Sequence, residues 1–168
     1  TGAGAAGAKY SSWFAPYYKE MQEPAINIMP SSFVNADLTQ SITRGEMSLL
    51  AVMAFEKATG NKIDELERTD YFSDTTDSNI LKAHEYGIVN GYPDGTFQPN
   101  KTLTRQEFFS IVQNFCEAAA YTSSRQVKTL SSFSDYGYVD SWARESATYC
   151  VEKGFVDGSD SDDGISSV

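Results

Sequence analysis

A chain of 168 residues with 13 Lys and Arg against 23 Asp and Glu carries a formal charge of −10 and a pI near 4.4. That balance repels a phosphate backbone and argues against a nucleic-acid partner. No run of about 18 apolar residues suggests a membrane span, and the length suffices to bury the core of one domain or of a few small repeats packed together.

In chain order, TGAGAAGAKY has neither an initiator Met nor a basic-then-apolar leader, and residues 1–9 read as a flexible segment. SSWFAPYYKEMQEPAINIMPSSF is interrupted by prolines, which predicts a short, kinked or broken helix. A second helix is expected from Thr43 to about Thr59, with Met47, Leu50, Ala51, Ala54 and Ala58 on one face and Gly60 as its stop. Beyond the polar joint GNKIDELERTD, residues 78–86 are helix-like and end at Gly87, and Tyr92-Pro93-Asp94-Gly95 has the residue order of a type I turn. Thr104 then opens a helix whose Phe108, Ile111, Val112, Phe115 and Ala119 fall on one apolar stripe. After TSSRQVKT, the stretch SWARESATYCVEKG predicts a helix ending at Gly154, followed by an acidic loop and then Val168, with no second helix.

An internal repeat organises these elements. ITRGE at 42–46 and LTRQE at 103–107 lie 61 residues apart, and YFSD at 71–74 and SFSD at 132–135 share that offset. The chain therefore divides into unit A (10–60), unit B (71–121) and unit C (132–168, truncated), each built on a helix-loop-helix plan, so the expected class is all-α. Within the repeated motif, Thr43 with Glu46 and Thr104 with Glu107 have capping-box spacing, at about 1 kcal/mol per cap. Arg44 and Arg105 would stand at the first helical position, where a cation faces the positive end of the helix dipole. A residue placed twice against its local preference suggests work elsewhere: binding an anion or bridging neighbouring units, both of which use the same fork of donors.

Other chemistry is sparse. The single histidine, His84, reads as a half-exposed helical residue, and no G-x-S-x-G turn supplies a nucleophile beside it, so no catalytic residue and no cofactor is expected. Asp157, Asp160, Asp162 and Asp163 lack the spacing and closing Glu of a calcium loop and read as solvated, so no metal site is expected. Cys116 and Cys150 fit either one disulfide or two buried thiols among apolar neighbours.

GIVNGYPDGTFQPNKTLTRQEF, residues 87–108, closely resembles the signature of S-layer homology (SLH) domains, which read F-x-D, then W-A, then G-I-V-x-G-Y-x-D-G-T-F-x-P, then I-T-R-x-E. Unit C resembles the front half through Phe133, Asp135, Trp142, Ala143 and Gly154, and unit A resembles it at Trp13 and at Ile42 to Glu46. The resemblance implies three tandem repeats packed as a pseudo-threefold module around a central helical bundle. It further implies a noncatalytic, extracellular module that anchors proteins to the cell wall through a secondary polysaccharide bearing pyruvylated sugars. Carried over by motif, Arg44 and Arg105 would hold the anionic ketal. Trp13, Trp142, Asp74, Asp135, Gly95 and Thr96 would line grooves between repeats, with Phe97 in the core.

Several positions depart from that pattern. Unit A has VNADLTQS in place of the G-Y-x-D-G-T-F loop and lacks F-x-D, unit B has no Trp, and unit C has no T-R-x-E, so no single unit holds every element. The net charge of −10 also opposes an anionic polymer, which keeps two further readings in play. One is a binder of polyamine-modified peptidoglycan, the other a structural, self-assembling surface-layer protein with degenerate grooves. Because unit C ends before a second helix, the expected apolar vacancy calls for a second copy of the chain, a partner, or attachment to a larger chain.

Overall fold

The computed structural model describes residues 2–3, 7–122 and 128–156. Of these, 48% are helical and 3% are strand, a mostly helical architecture. The chain forms two compact units, Thr1–Thr102 and Leu103–Val168, so the boundary falls inside the segment 71–121 that the repeat pattern delimits. The acidic run from Asp157 to Asp163 and the expected vacancy after unit C lie outside the described residues.

In the first unit, β1 (Gly2–Ala3) pairs antiparallel with β2 (Lys9–Tyr10). Residues 8 and 9, expected to belong to a flexible segment, are therefore held in place. Ala8 is buried, Lys9 N–H donates to the Ala36 carbonyl at 3.1 Å, and Leu38 N–H donates to the Lys9 carbonyl at 2.7 Å. The proline-interrupted stretch becomes a 3-10 turn at Ser12–Phe14 and α1 (Ala15–Gln22), with Pro16 in the first turn where no N–H is needed. Tyr10, Tyr18, Met29 and Phe33 form its core, with Tyr10 and Tyr18 stacked at 4.6 Å.

Helix α2 (Arg44–Thr59) packs on α3 (Ser78–Glu85), whose N-cap Asp77 accepts from the N–H groups of Asn79 and Ile80. Gly60 and Gly87 take the left-handed conformation at φ 74° and 76°, as expected for glycines that end helices. The buried face of α2 shares only Ala51 with the expected one: Arg44, Ser48, Ala51, Val52 and Phe55 are buried, while Met47, Leu50 and Ala54 are half-buried and Ala58 is exposed. Apolar residues lie on every side of this helix, so the tertiary partner rather than the stripe chooses the inward face.

In the second unit, α4 (Arg105–Ala118) packs on α5 (Arg144–Glu152). Ala143, Ala147 and Cys150 form a narrow face, and the Cys150 thiol donates to the Phe109 carbonyl at 3.6 Å. The stripe of α4 is also rotated from expectation: Ile111 is buried and Val112 packs on the core as expected, but Phe109 is buried in place of Phe108, which is 37% exposed. Gln106 and Gln113 account for the rotation, since the Gln106 side chain accepts from Asp140 N–H at 3.0 Å and that of Gln113 from the Ser146 hydroxyl at 2.7 Å. Both lie on the Phe109 side, a polar contribution that apolar periodicity does not register. Cys116 and Cys150 are free and buried, which decides between the two readings left open above.

Candidate functional site

The two arginines of the repeated motif begin alike. Thr43 caps α2 by accepting from Glu46 N–H while the Glu46 carboxylate accepts from Thr43 N–H at 2.8 Å, and Thr104 with Glu107 repeats the arrangement on α4. Arg44 and Arg105 are thereby set at the first helical position, and from there they diverge.

Arg44 is only 6% exposed. Its Nε donates to the Phe97 carbonyl at 2.9 Å and its Nη2 to the Asn90 carbonyl at 2.8 Å. The guanidinium carbon lies 4.6 Å from the Tyr92 ring centre and 4.5 Å from that of Phe97, within cation–π range of both. The adjoining backbone joins in: Arg44 N–H donates to the Lys101 carbonyl and Gly45 N–H to the Pro99 carbonyl, each at 2.9 Å, so otherwise orphan donors at the start of α2 find acceptors. Gly45 permits that approach, because a Cβ there would meet the Pro99 carbonyl oxygen at 3.1 Å.

Asp74 holds the same loop from the other side. Its two carboxylate oxygens accept from Phe97 N–H and Gln98 N–H, each at 2.8 Å, and the Phe97 bond is the main reason its pKa lies below the ordinary value. The turn closes through Gly95 N–H donating to the Tyr92 carbonyl at 3.0 Å, with Gly95 at φ 83°. Asp94 accepts from both the N–H and the hydroxyl of Thr96, and the hydroxyl bond is the larger cause of its lowered pKa. Gly95 and Thr96 thus form a fixed tip, with Phe97 fully buried beneath it.

In the second unit Arg105 is half-buried, its guanidinium 5.9 Å from the Phe109 ring centre. Burial pulls its pKa down, and the charge of Asp135 opposes that shift. Among the described residues its guanidinium makes no hydrogen bond, in contrast to Arg44. Trp142 belongs to a 3-10 turn at Ser141–Ala143 and is 57% exposed.

Trp13 stands 71% exposed at the start of α1 between two hollows. One, of about 300 Å³, is walled by Phe14, Met21, Met29, Leu38 and Leu50, with Asp37, Gln40 and Glu46 also on its lining. The other lies over Tyr17, Ile26 and Ile28. Trp13 and Arg44 fall in one unit and Trp142, Asp135 and Arg105 in the other.

Chemically, these features suit binding: fixed loops, exposed indole faces and one incompletely solvated cation. His84 is engaged structurally, its Nδ1 within 3.0 Å of the Val89 carbonyl and its ring against Tyr71 and Phe72. Burial pushes the Cys150 thiol up to about 12, which leaves it a poor nucleophile. Sequence reasoning overlooked Asn90 and Tyr92 as partners of Arg44. The available signal was the tyrosine of G-Y-P-D-G-T-F, an aromatic face in a loop that an arginine elsewhere in the chain could meet.

Residues 71–109 match the S-layer homology domain. The cellulosome-anchoring protein of Acetivibrio thermocellus is 33% identical over 94 residues, 52% of this chain and 20% of that protein. Amylopullulanase of Thermoanaerobacterium thermosulfurigenes is 34% identical over 88 residues, 49% of this chain and 5% of the enzyme. Cell surface glycoprotein 1 of Acetivibrio thermocellus is 29% identical over 130 residues, 71% of this chain and 5% of that protein. The chain thus spans between 5% and 20% of the length of these relatives. No solved structure matches it significantly. Among the described residues no helix is long and apolar enough to cross a membrane.

Proposed function

We propose that this chain is a noncatalytic anchoring module that binds a cell-wall polymer at the extracellular surface, and that the polymer is a secondary polysaccharide carrying an anionic, pyruvylated sugar. The observation that carries this reading is Arg105. Its guanidinium lies half-buried at the start of α4 against the Phe109 ring, and it offers an arriving carboxylate the bidentate geometry of its fork of donors. Trp142 and Trp13 supply exposed aromatic faces for sugar rings, Asp135 steadies Arg105, and Gly95 with Thr96 forms the loop tip that meets the polymer. On this reading the three repeats complete a pseudo-threefold module, and the matches to a cellulosome-anchoring protein and a cell surface glycoprotein support the anchoring role.

Cosedimentation with purified wall sacculi, native and stripped of secondary polymer, tests the proposal. Binding to native sacculi alone is expected. Undiminished binding to stripped sacculi would favour the second reading, a cationic polyamine-modified peptidoglycan, which the net charge of −10 would attract. Binding to neither would leave a structural, self-associating surface protein.

A further inference from the structure

The first arginine of the repeated motif has surroundings that do not suit a ligand contact. Arg44 reaches from α2 across 53 residues of sequence to the Phe97 carbonyl and across 46 to the Asn90 carbonyl, the two ends of the loop that carries Tyr92, Gly95 and Thr96. Its guanidinium lies within reach of the Tyr92 and Phe97 rings, and Tyr92 also meets Lys101, whose Nζ donates to the Tyr92 hydroxyl at 2.8 Å. The same loop is held at Phe97 and Gln98 by the Asp74 carboxylate and at Pro99 and Lys101 by the first N–H groups of α2.

We propose that Arg44 is a positioning residue: it bridges the two ends of the 90–97 loop and sets its tip, and it does not itself meet an external anion. A planar fork that donates in two directions while its face lies against aromatic rings is a geometry that arginine provides and lysine does not. The inference rests on the reading above only in taking the loop tip as the part that meets the wall polymer. The clamp itself can be read without any ligand.

The experiment compares the parent chain with Arg44→Ala and Arg44→Lys by amide hydrogen exchange and by cosedimentation with native sacculi at two salt concentrations. In Arg44→Ala the amides of Tyr92, Phe97 and Gln98 should exchange about tenfold faster or more, while Lys153 N–H, in the other unit, keeps its parent rate. Arg44→Lys should not restore protection. Wall affinity should fall in both variants with the salt dependence of the parent, because no ion contact is lost. Unchanged exchange in Arg44→Ala, full rescue by lysine, or a flattened salt dependence would each overturn the proposal. Should Arg44→Ala fail to fold, Tyr92→Leu removes one aromatic face and should accelerate Phe97 and Gln98 exchange in the same direction; parent rates there would overturn it equally. If the parent chain fails to bind sacculi, the anchoring reading falls while the exchange comparison still decides the clamp.

Discussion

Arg44 and Arg105 occupy the same place in the same five-residue motif and end in different surroundings. Arg44 is buried against two aromatic rings and two carbonyls, whereas Arg105 is half-buried beside one ring, with Asp135 as its electrostatic counterweight. The residue that follows each arginine differs in keeping. Gly45 lets the Pro99 carbonyl approach α2, while Gln106 turns inward and accepts from Asp140 N–H. A repeated motif therefore fixes where a side chain starts and not what it does. The loop that α2 meets supplies Tyr92 and Phe97 as two aromatic faces for Arg44.

The hardest blow to this comparison would come from stability. Arg44→Ala should destabilise the first unit by about 3 kcal/mol, the loss of two hydrogen bonds from a charged donor, with urea melts reporting the change. Arg105→Ala should leave the melt nearly unmoved and instead weaken wall binding by about 1.5 to 3 kcal/mol in cosedimentation. Equal behaviour of the two variants in both assays would erase the distinction. A smaller effect sharpens it: Thr104→Ala removes the cap of α4 and should cost about 1 kcal/mol of stability, with binding lost only to the extent that Arg105 is misplaced. Unchanged denaturation midpoints would show that the capping bond contributes nothing.

The smallest effect concerns pH. Hydrogen bonds from Phe97 and then Gln98 hold the Asp74 pKa below its ordinary value, so its contribution is present above the unfolded-state value of about 3.9 and is lost as pH falls through the folded value. Amide chemical shifts of Phe97 and Gln98 followed from neutral pH downward should move together in that acid window, and Asp74→Asn should abolish the coupled step. Asp74 is exposed, so the change in global stability should be slight.

Much of the local architecture was legible in the sequence because its signals are short-range. Thr43 and Thr104 mark helix starts through bonds to residues three positions away, Gly60, Gly87 and Gly154 mark helix ends through positive φ, and Tyr92 to Gly95 close a turn on themselves. The motif matched at 71–109 was readable because it resides in consecutive residues, the repeat because the same short motifs recur at one offset, and the burial of Phe97 only through the family resemblance. The tertiary structure alone decided which face each helix buries, that Lys9 pairs with the 36–38 segment, that a cavity opens beside Trp13, and that Cys116 and Cys150 remain thiols. It also decided that Arg44 meets Asn90 and Phe97. Each of these depends on which distant residues the fold brings together, and a stripe of apolar positions or a lone arginine carries no record of its partner.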